Sequence, residues 1–152
     1  MKKDTYKNNT ALLEKLKSKS KREANLFFSL CEDESEIVKT QKFKDVLLNS
    51  GLKANDKRLY NLFQSLDAHG DKIVFEDFID IIRTSELIVE KSLRGELAIP
   101  DFSYFAKNLD NMFDEVKKIK SGELASYIPP LAEVDPDQFG VAIVTADGQI
   151  YQ

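Results

Sequence analysis

Apolar residues fall three and four apart through most of the first 120 positions, the period of a helix with one buried face. Residues 22–33 set Leu26, Phe27, Leu30 and Cys31 on one stripe, closed by the polar run Glu32 to Glu36. Lys39 to Ser50 carries Phe43, Val46 and Leu47 and stops at Ser50-Gly51, where glycine supplies a C-terminal breaker. Asn55 or Asp56 is placed to cap a third helix bearing Leu59, Leu62, Phe63 and Leu66. The polar turn Asp67-Ala68-His69-Gly70-Asp71 follows, and the β-branched pair Ile73-Val74 leads into the stripe Phe75, Phe78, Ile79 and Ile82. Leu87, Ile88, Leu93 and Leu97 predict a helix over 86–98, interrupted at Gly95. Pro100 holds Ile99 extended, and Asp101 caps the best-patterned helix, Asp101 to Lys120. Its stripe is Phe102, Phe105, Leu109, Met112, Phe113, Val116 and Ile119. Lys117, Lys118 and Lys120 face the negative end of the helix dipole, and Ser121-Gly122 closes it.

The period changes after Gly122. Glu123 to Pro136 holds three of the four prolines, and Phe139 to Thr145 is an apolar, β-rich run. Ala146-Asp147-Gly148 signals a hairpin turn, and Gln149 to Gln152 begins a second strand. A lone two-stranded ribbon is marginal in water, so this one is expected to belong to a larger sheet and to an interrupted domain. The predicted fold is mainly α: a helical domain, then a long helix, then an incomplete β-hairpin from an α/β domain. Helix, short loop, helix, polar loop with isoleucine, helix is the outline of paired EF-hands.

That outline invites a test against calcium chemistry. An EF-hand loop places acids at positions 1, 3 and 5, glycine at 6 and a bidentate glutamate at 12. With Asp67 first, His69 falls at 3, Asp71 at 5, Lys72 in place of the glycine, and Asp77 at 11. The loop is a residue short and brings a cation into the cage. Glu32 to Glu36 is acidic but lacks the alternation and the glycine. An EF-hand shape kept for packing, with no metal, is expected. His69 has no nearby cysteine or second histidine to make a zinc site and reads as a solvent-exposed turn residue.

The net charge of −4 conceals an asymmetry. Residues 1–22 carry eight Lys or Arg against Asp4 and Glu14, a local +6, which leaves −10 for the rest. The basic arm reads as a solvated lead-in over 1–21, and the acidic remainder argues against nucleic acid. No apolar run approaches the ~20 residues of a bilayer span. The single Cys31 excludes an internal disulfide and fits a reducing compartment, so a cytoplasmic location is expected.

Three strings carry a family resemblance: Ile99-Pro100-Asp101-Phe102; Gly122-Glu123-Leu124-Ala125-Ser126-Tyr127-Ile128-Pro129-Pro130-Leu131-Ala132; and Asp135-Pro136-Asp137-Gln138-Phe139-Gly140 running on to Thr145-Ala146-Asp147-Gly148. Together they resemble the start of the catalytic domain of β-lactamase-like, serine-dependent glutaminases, over residues 99–152. Residues 22–98 resemble the EF-hand-like domain that precedes it in long glutaminases. The resemblance implies hydrolysis of L-glutamine to L-glutamate and ammonia without a metal or cofactor, through a serine acyl-enzyme built on Ser-x-x-Lys. It implies that Tyr127 lines the glutamine pocket beside the nucleophile, as both a catalytic and a substrate-binding residue. It also implies a homo-oligomer, and the charge and hydropathy above leave neither nucleic acid nor membrane as an expected partner.

In the family Ser-x-x-Lys follows the second strand, whereas the two matching strings here, Ser18 to Lys21 and Ser50 to Lys53, precede Tyr127 and take no catalytic role. The chain is therefore expected to be an N-terminal portion with no activity alone. A non-catalytic helical interaction module and a calcium-binding EF-hand protein are the alternative readings.

Overall fold

The computed structural model describes residues 21–32 and 36–152. The basic lead-in up to Ser20, with Ser18, lies outside them, as do Asp33, Glu34 and Ser35 of the acidic run. The chain is mainly α, with seven helices and two short antiparallel ribbons among the described residues.

Helix α1 (Lys21–Leu30) buries Ala24, Leu26, Phe27 and Leu30. It stops before Cys31, whose thiol lies 3.5 Å from the Phe27 carbonyl oxygen and packs against the core. Strand β1 (Val38–Lys39) leads into α2 (Thr40–Asn49), and β2 (Lys72–Ile73) lies between α3 (Tyr60–His69) and α4 (Phe75–Ile82). The strands pair antiparallel, with Val38 opposite Ile73, both fully buried. This pairing corrects the expected start of the second helix. Lys39 is extended (φ −72°, ψ 127°) because its backbone is committed to Lys72, and the helix begins at Thr40. Val74, expected beside Ile73 in the β-branched pair, is the extended residue that starts α4. Thr40 fastens the junction: its N–H donates to the Asp71 carbonyl at 3.0 Å and its hydroxyl to that of Gly70 at 2.5 Å.

Phe27, Phe43 and Phe78 are fully buried at the centre. Phe27 meets Phe75 and Phe78 edge-on, with ring centroids 5.4 and 5.5 Å apart. Each such pair adds about 0.5–1.5 kcal/mol beyond its area burial.

Two expectations, one of a cap and one of a turn, fail for local reasons. Asp56 does not start α3, because its carboxylate accepts from the N–H of Arg58 at 2.9 Å and takes the same residue's guanidinium. The chain turns once more before Tyr60. Asp67, Ala68 and His69 are the last residues of α3 and not a turn, which falls at Gly70 (φ 91°) and Asp71. His69 is partly buried, its Nε2 lying 3.3 Å from an Asp77 oxygen.

Helix α5 (Glu86–Arg94) is shorter than 86–98 because Gly95 takes the left-handed conformation (φ 66°). The N–H of Gly95 and that of Glu96 then turn back to the carbonyls of Ser92 and Lys91, and Leu97 enters the core from beyond the helix. Glu90, buried, is paired with Arg22 of α1 and Arg94 of α5.

Helix α6 (Phe102–Lys117) begins as expected, with the Asp101 carboxylate accepting from the Tyr104 N–H at 3.0 Å. Its end falls at Lys117 and not at Lys120. Of its stripe only Phe102 is buried in this chain, while Met112 is 59% and Ile119 64% exposed. The polar-to-proline stretch carries the one-turn α7 (Pro129–Ala132), and β3 (Ile143–Val144) pairs with β4 (Ile150–Tyr151). Phe139 stacks on Phe113 of α6, centroids 4.9 Å apart, and the Tyr151 hydroxyl donates to Asp110 of the same helix at 2.7 Å.

Candidate functional site

Tyr127 sits in the approach to α7, where Ile128 is extended (φ −121°, ψ 117°) because a proline follows it. The phenol is 81% exposed. Ser50, the serine of the second Ser-x-x-Lys string, is occupied at the end of α2. Its hydroxyl donates to the Leu47 carbonyl at 2.7 Å and accepts from the Ser92 hydroxyl at 2.9 Å. That is a helix-end role, and it leaves the string with none of the geometry of an activated nucleophile.

The carboxylate on which a calcium loop would begin is also engaged, since Asp67 lies 2.5 Å from the Lys44 ammonium. Among the described residues no group of three or more His, Cys, Asp or Glu converges as metal ligands would.

The densest polar geometry surrounds the β3–β4 turn. Thr145 accepts from the Gly148 N–H at 2.9 Å, closing a four-residue turn with Gly148 at φ 86°. A Cβ at Gly148 would lie 2.1 Å from the Arg58 guanidinium, so only glycine lets that cation approach. Asp147 is held on three sides. One carboxylate oxygen meets the Lys91 ammonium at 2.9 Å, the other accepts from the Ala98 N–H at 2.9 Å, and its carbonyl accepts from Arg58 at 2.7 Å. The hydrogen bond from Lys91 holds the Asp147 carboxyl below the usual range; burial opposes this, and the Ala98 N–H and the Arg58 charge reinforce it. Arg58 in turn lowers the carboxyl of Asp56, whose hydrogen bond raises the guanidinium.

Gln149 is 0% exposed and uses both ends of its amide. Its NH₂ donates to the carbonyls of Ser50 at 2.7 Å and Ile99 at 2.8 Å, and its oxygen accepts from the Ile99 N–H at 2.9 Å. Beside it the Ile150 N–H donates to the Gly51 carbonyl at 2.9 Å. In the sequence Gln149 reads as the first residue of a strand. A buried amide has no apolar signature, and its partners lie 99 and 50 residues away in the chain.

An open cleft of about 590 Å³ adjoins this turn, lined by Arg22, Arg58, Arg83, Lys91, Glu86 and Asp147 among others. Its cations are spoken for: Arg58 by Asp56, Lys91 by Asp147, Arg83 by Asp80 and Arg22 by Glu90.

Residues 22–100 match the EF-hand domain family, and residues 122–152 match the glutaminase family. The chain belongs to the EF-hand domain family over residues 22–100, and its residues 122–152 are similar to the glutaminase family. Helix α6 runs between the two matched ranges. The glutaminase liver isoform, mitochondrial, of Rattus norvegicus is 30% identical over 130 residues, covering 82% of this chain and 21% of the rat protein. Putative glutaminase 3 of Caenorhabditis elegans is 30% identical over 139 residues, covering 82% and 23%. A glutaminase of Rhizobium johnstonii is 51% identical over 45 residues, covering 29% and 15%. The chain thus spans about a fifth of the length of the first two relatives.

Proposed function

We propose that this chain is the N-terminal portion of an enzyme that hydrolyses L-glutamine to L-glutamate and ammonia through a serine acyl-enzyme. In this reading residues 22–98 form the EF-hand-like helical domain, residues 99–152 form the start of the catalytic domain, and Tyr127 lines the glutamine site. The observation that carries it is the succession of EF-hand and glutaminase matches in one chain, aligned with the rat relative over 130 residues. The high exposure of Tyr127 is consistent with a wall awaiting the rest of a pocket. Residues 128–152 contain neither serine nor lysine, so Ser-x-x-Lys must come from elsewhere and the chain alone is expected to be inactive. No described helix is long and apolar enough to cross a membrane, and a sequence with Cys31 as its single cysteine fits a reducing, cytoplasmic setting.

A chimera tests this. Residues 1–152 replace the aligned segment of the rat relative, and ammonia release from glutamine is followed. Activity above that of the 152-residue chain supports the proposal, and a folded chimera without activity refutes it.

The exposed apolar face of α6 favours a second element, self-association. A mass that rises with concentration in light scattering supports the homo-oligomer, and a constant monomer mass removes it.

A further inference from the structure

The β3–β4 turn is fastened to the EF-hand domain by polar groups that converge from four separate places. These are the end of α2 (Ser50 and Gly51), the loop before α3 (Arg58), helix α5 (Lys91) and the bent link before α6 (Ala98 and Ile99). The Gln149 and Asp147 side chains meet Ser50, Ile99, Lys91 and Ala98, while the Asp147 carbonyl meets Arg58 and the Ile150 N–H meets Gly51. We infer that Gln149 and Asp147 form a latch that fixes the first hairpin of the glutaminase segment on the EF-hand domain and can release it without unfolding that domain.

The physical case rests on how the two regions are held. The helical domain has its own apolar core, built from Phe27, Phe43, Phe78 and their neighbours, to which the hairpin contributes no residue. The hairpin has no comparable core. Its strands are two residues long and Val144 is exposed, so its position on the helical domain depends on the hydrogen bonds of the turn and of Ile150, while Tyr151 ties it separately to Asp110 of α6. A ribbon of that size does not hold its place in water unaided. Gln149 is the central element, because removing its buried amide leaves the Ser50 and Ile99 carbonyls and the Ile99 N–H without partners. Asp147 is the outer element, with charge-assisted bonds at the rim of the cleft. Gly51 ties the two functions together: its carbonyl receives the Ile150 N–H, and its missing side chain admits the ring of Phe102, the first residue of α6. The latch is a property of the folded chain, so glutamine turnover is not its readout.

Amide hydrogen exchange on the full 152-residue chain tests it in the wild type, Gln149→Ala and Asp147→Ala. The reporters are the Ile150 and Thr145 amides of the hairpin and, for the domain, the Phe63 and Phe78 amides, bonded to the Leu59 and Val74 carbonyls. Three hydrogen bonds at their usual net strength correspond to about a hundredfold in opening. Gln149→Ala is therefore expected to raise the Ile150 exchange rate about a hundredfold and Asp147→Ala about tenfold, with Phe63 and Phe78 unchanged. Unchanged Ile150 protection in both variants overturns the latch. So does a rise by the same factor at Ile150 and Phe63, which makes hairpin and domain one opening unit. If Gln149→Ala does not fold, Asp147→Ala, a change at the rim of the fold, decides between these outcomes.

Discussion

Gly51 carries a test of how the long helix is joined to the helical domain. Its φ of 87° lies where side chains are disfavoured, and a Cβ there would stand 2.6–2.7 Å from three ring carbons of Phe102. Gly51→Ala therefore incurs two costs. The left-handed backbone contributes about 1–2 kcal/mol, and forcing a methyl into the buried Phe102 ring contributes about 1–3 kcal/mol more. Gly95 supplies the control, with φ 66° and nothing within 4 Å of its Cβ position, so Gly95→Ala incurs only the first cost. Urea unfolding followed by circular dichroism measures both. Gly51→Ala is expected to be less stable than Gly95→Ala by about 1–3 kcal/mol, with an unchanged slope and a lower midpoint. A double-mutant cycle sharpens the assignment. In a Phe102→Ala background the ring is gone, so Gly51→Ala should cost no more than Gly95→Ala. Equal costs for the two glycines in the wild-type background, or an excess at Gly51 that survives the loss of Phe102, refute the packing of α6 on Gly51.

Phe27→Ala opens the aromatic centre and is expected to destabilise by about 3–5 kcal/mol, read from the urea midpoint; a loss below about 1 kcal/mol contradicts the core as described. The Asp147 carboxyl is lowered chiefly by Lys91, so the released form binds protons more readily than the docked one. Docking is then complete above the ordinary carboxylate pKa of about 4 and weakens as pH falls through the lower, folded value. The Ile150 amide signal followed by NMR from pH 6 downward should report this loss, and a docking that strengthens on acidification refutes the sign. Calcium added to the chain should give no heat and no shift of the Asp67 or Asp71 resonances, because Lys44 already holds Asp67; saturable heat at micromolar calcium contradicts that.

Much of the helical domain was legible because its stripes are wide and local. Phe27, Phe43, Leu62, Phe78 and Ile82 lie on the predicted faces and are buried. The β1–β2 ribbon was not legible, since two residues paired across 35 positions of chain leave no period to read. Asp56 had the chemistry of a helix cap, but Arg58, two residues on, takes it. The stripe of α6 shows the opposite gap. Its period announces a face to be buried, yet periodicity does not say by what, and in this chain Phe102 alone of the stripe is buried, with Phe105, Leu109 and Phe113 half-buried. At the candidate site, Tyr127 came from a resemblance of ordered motifs and not from any local physical signal. Gln149 escaped notice because its role is set by the backbone of Ser50 and Ile99, which only folding brings to it.

The most direct test of the glutaminase reading is Tyr127→Phe in the chimera with the rat relative, assayed for kcat and KM with glutamine across pH. Loss of a proton-relaying hydroxyl is predicted to lower kcat about a hundredfold with the fold intact. An unchanged kcat and an unchanged pH profile would contradict the placement of Tyr127 in the site.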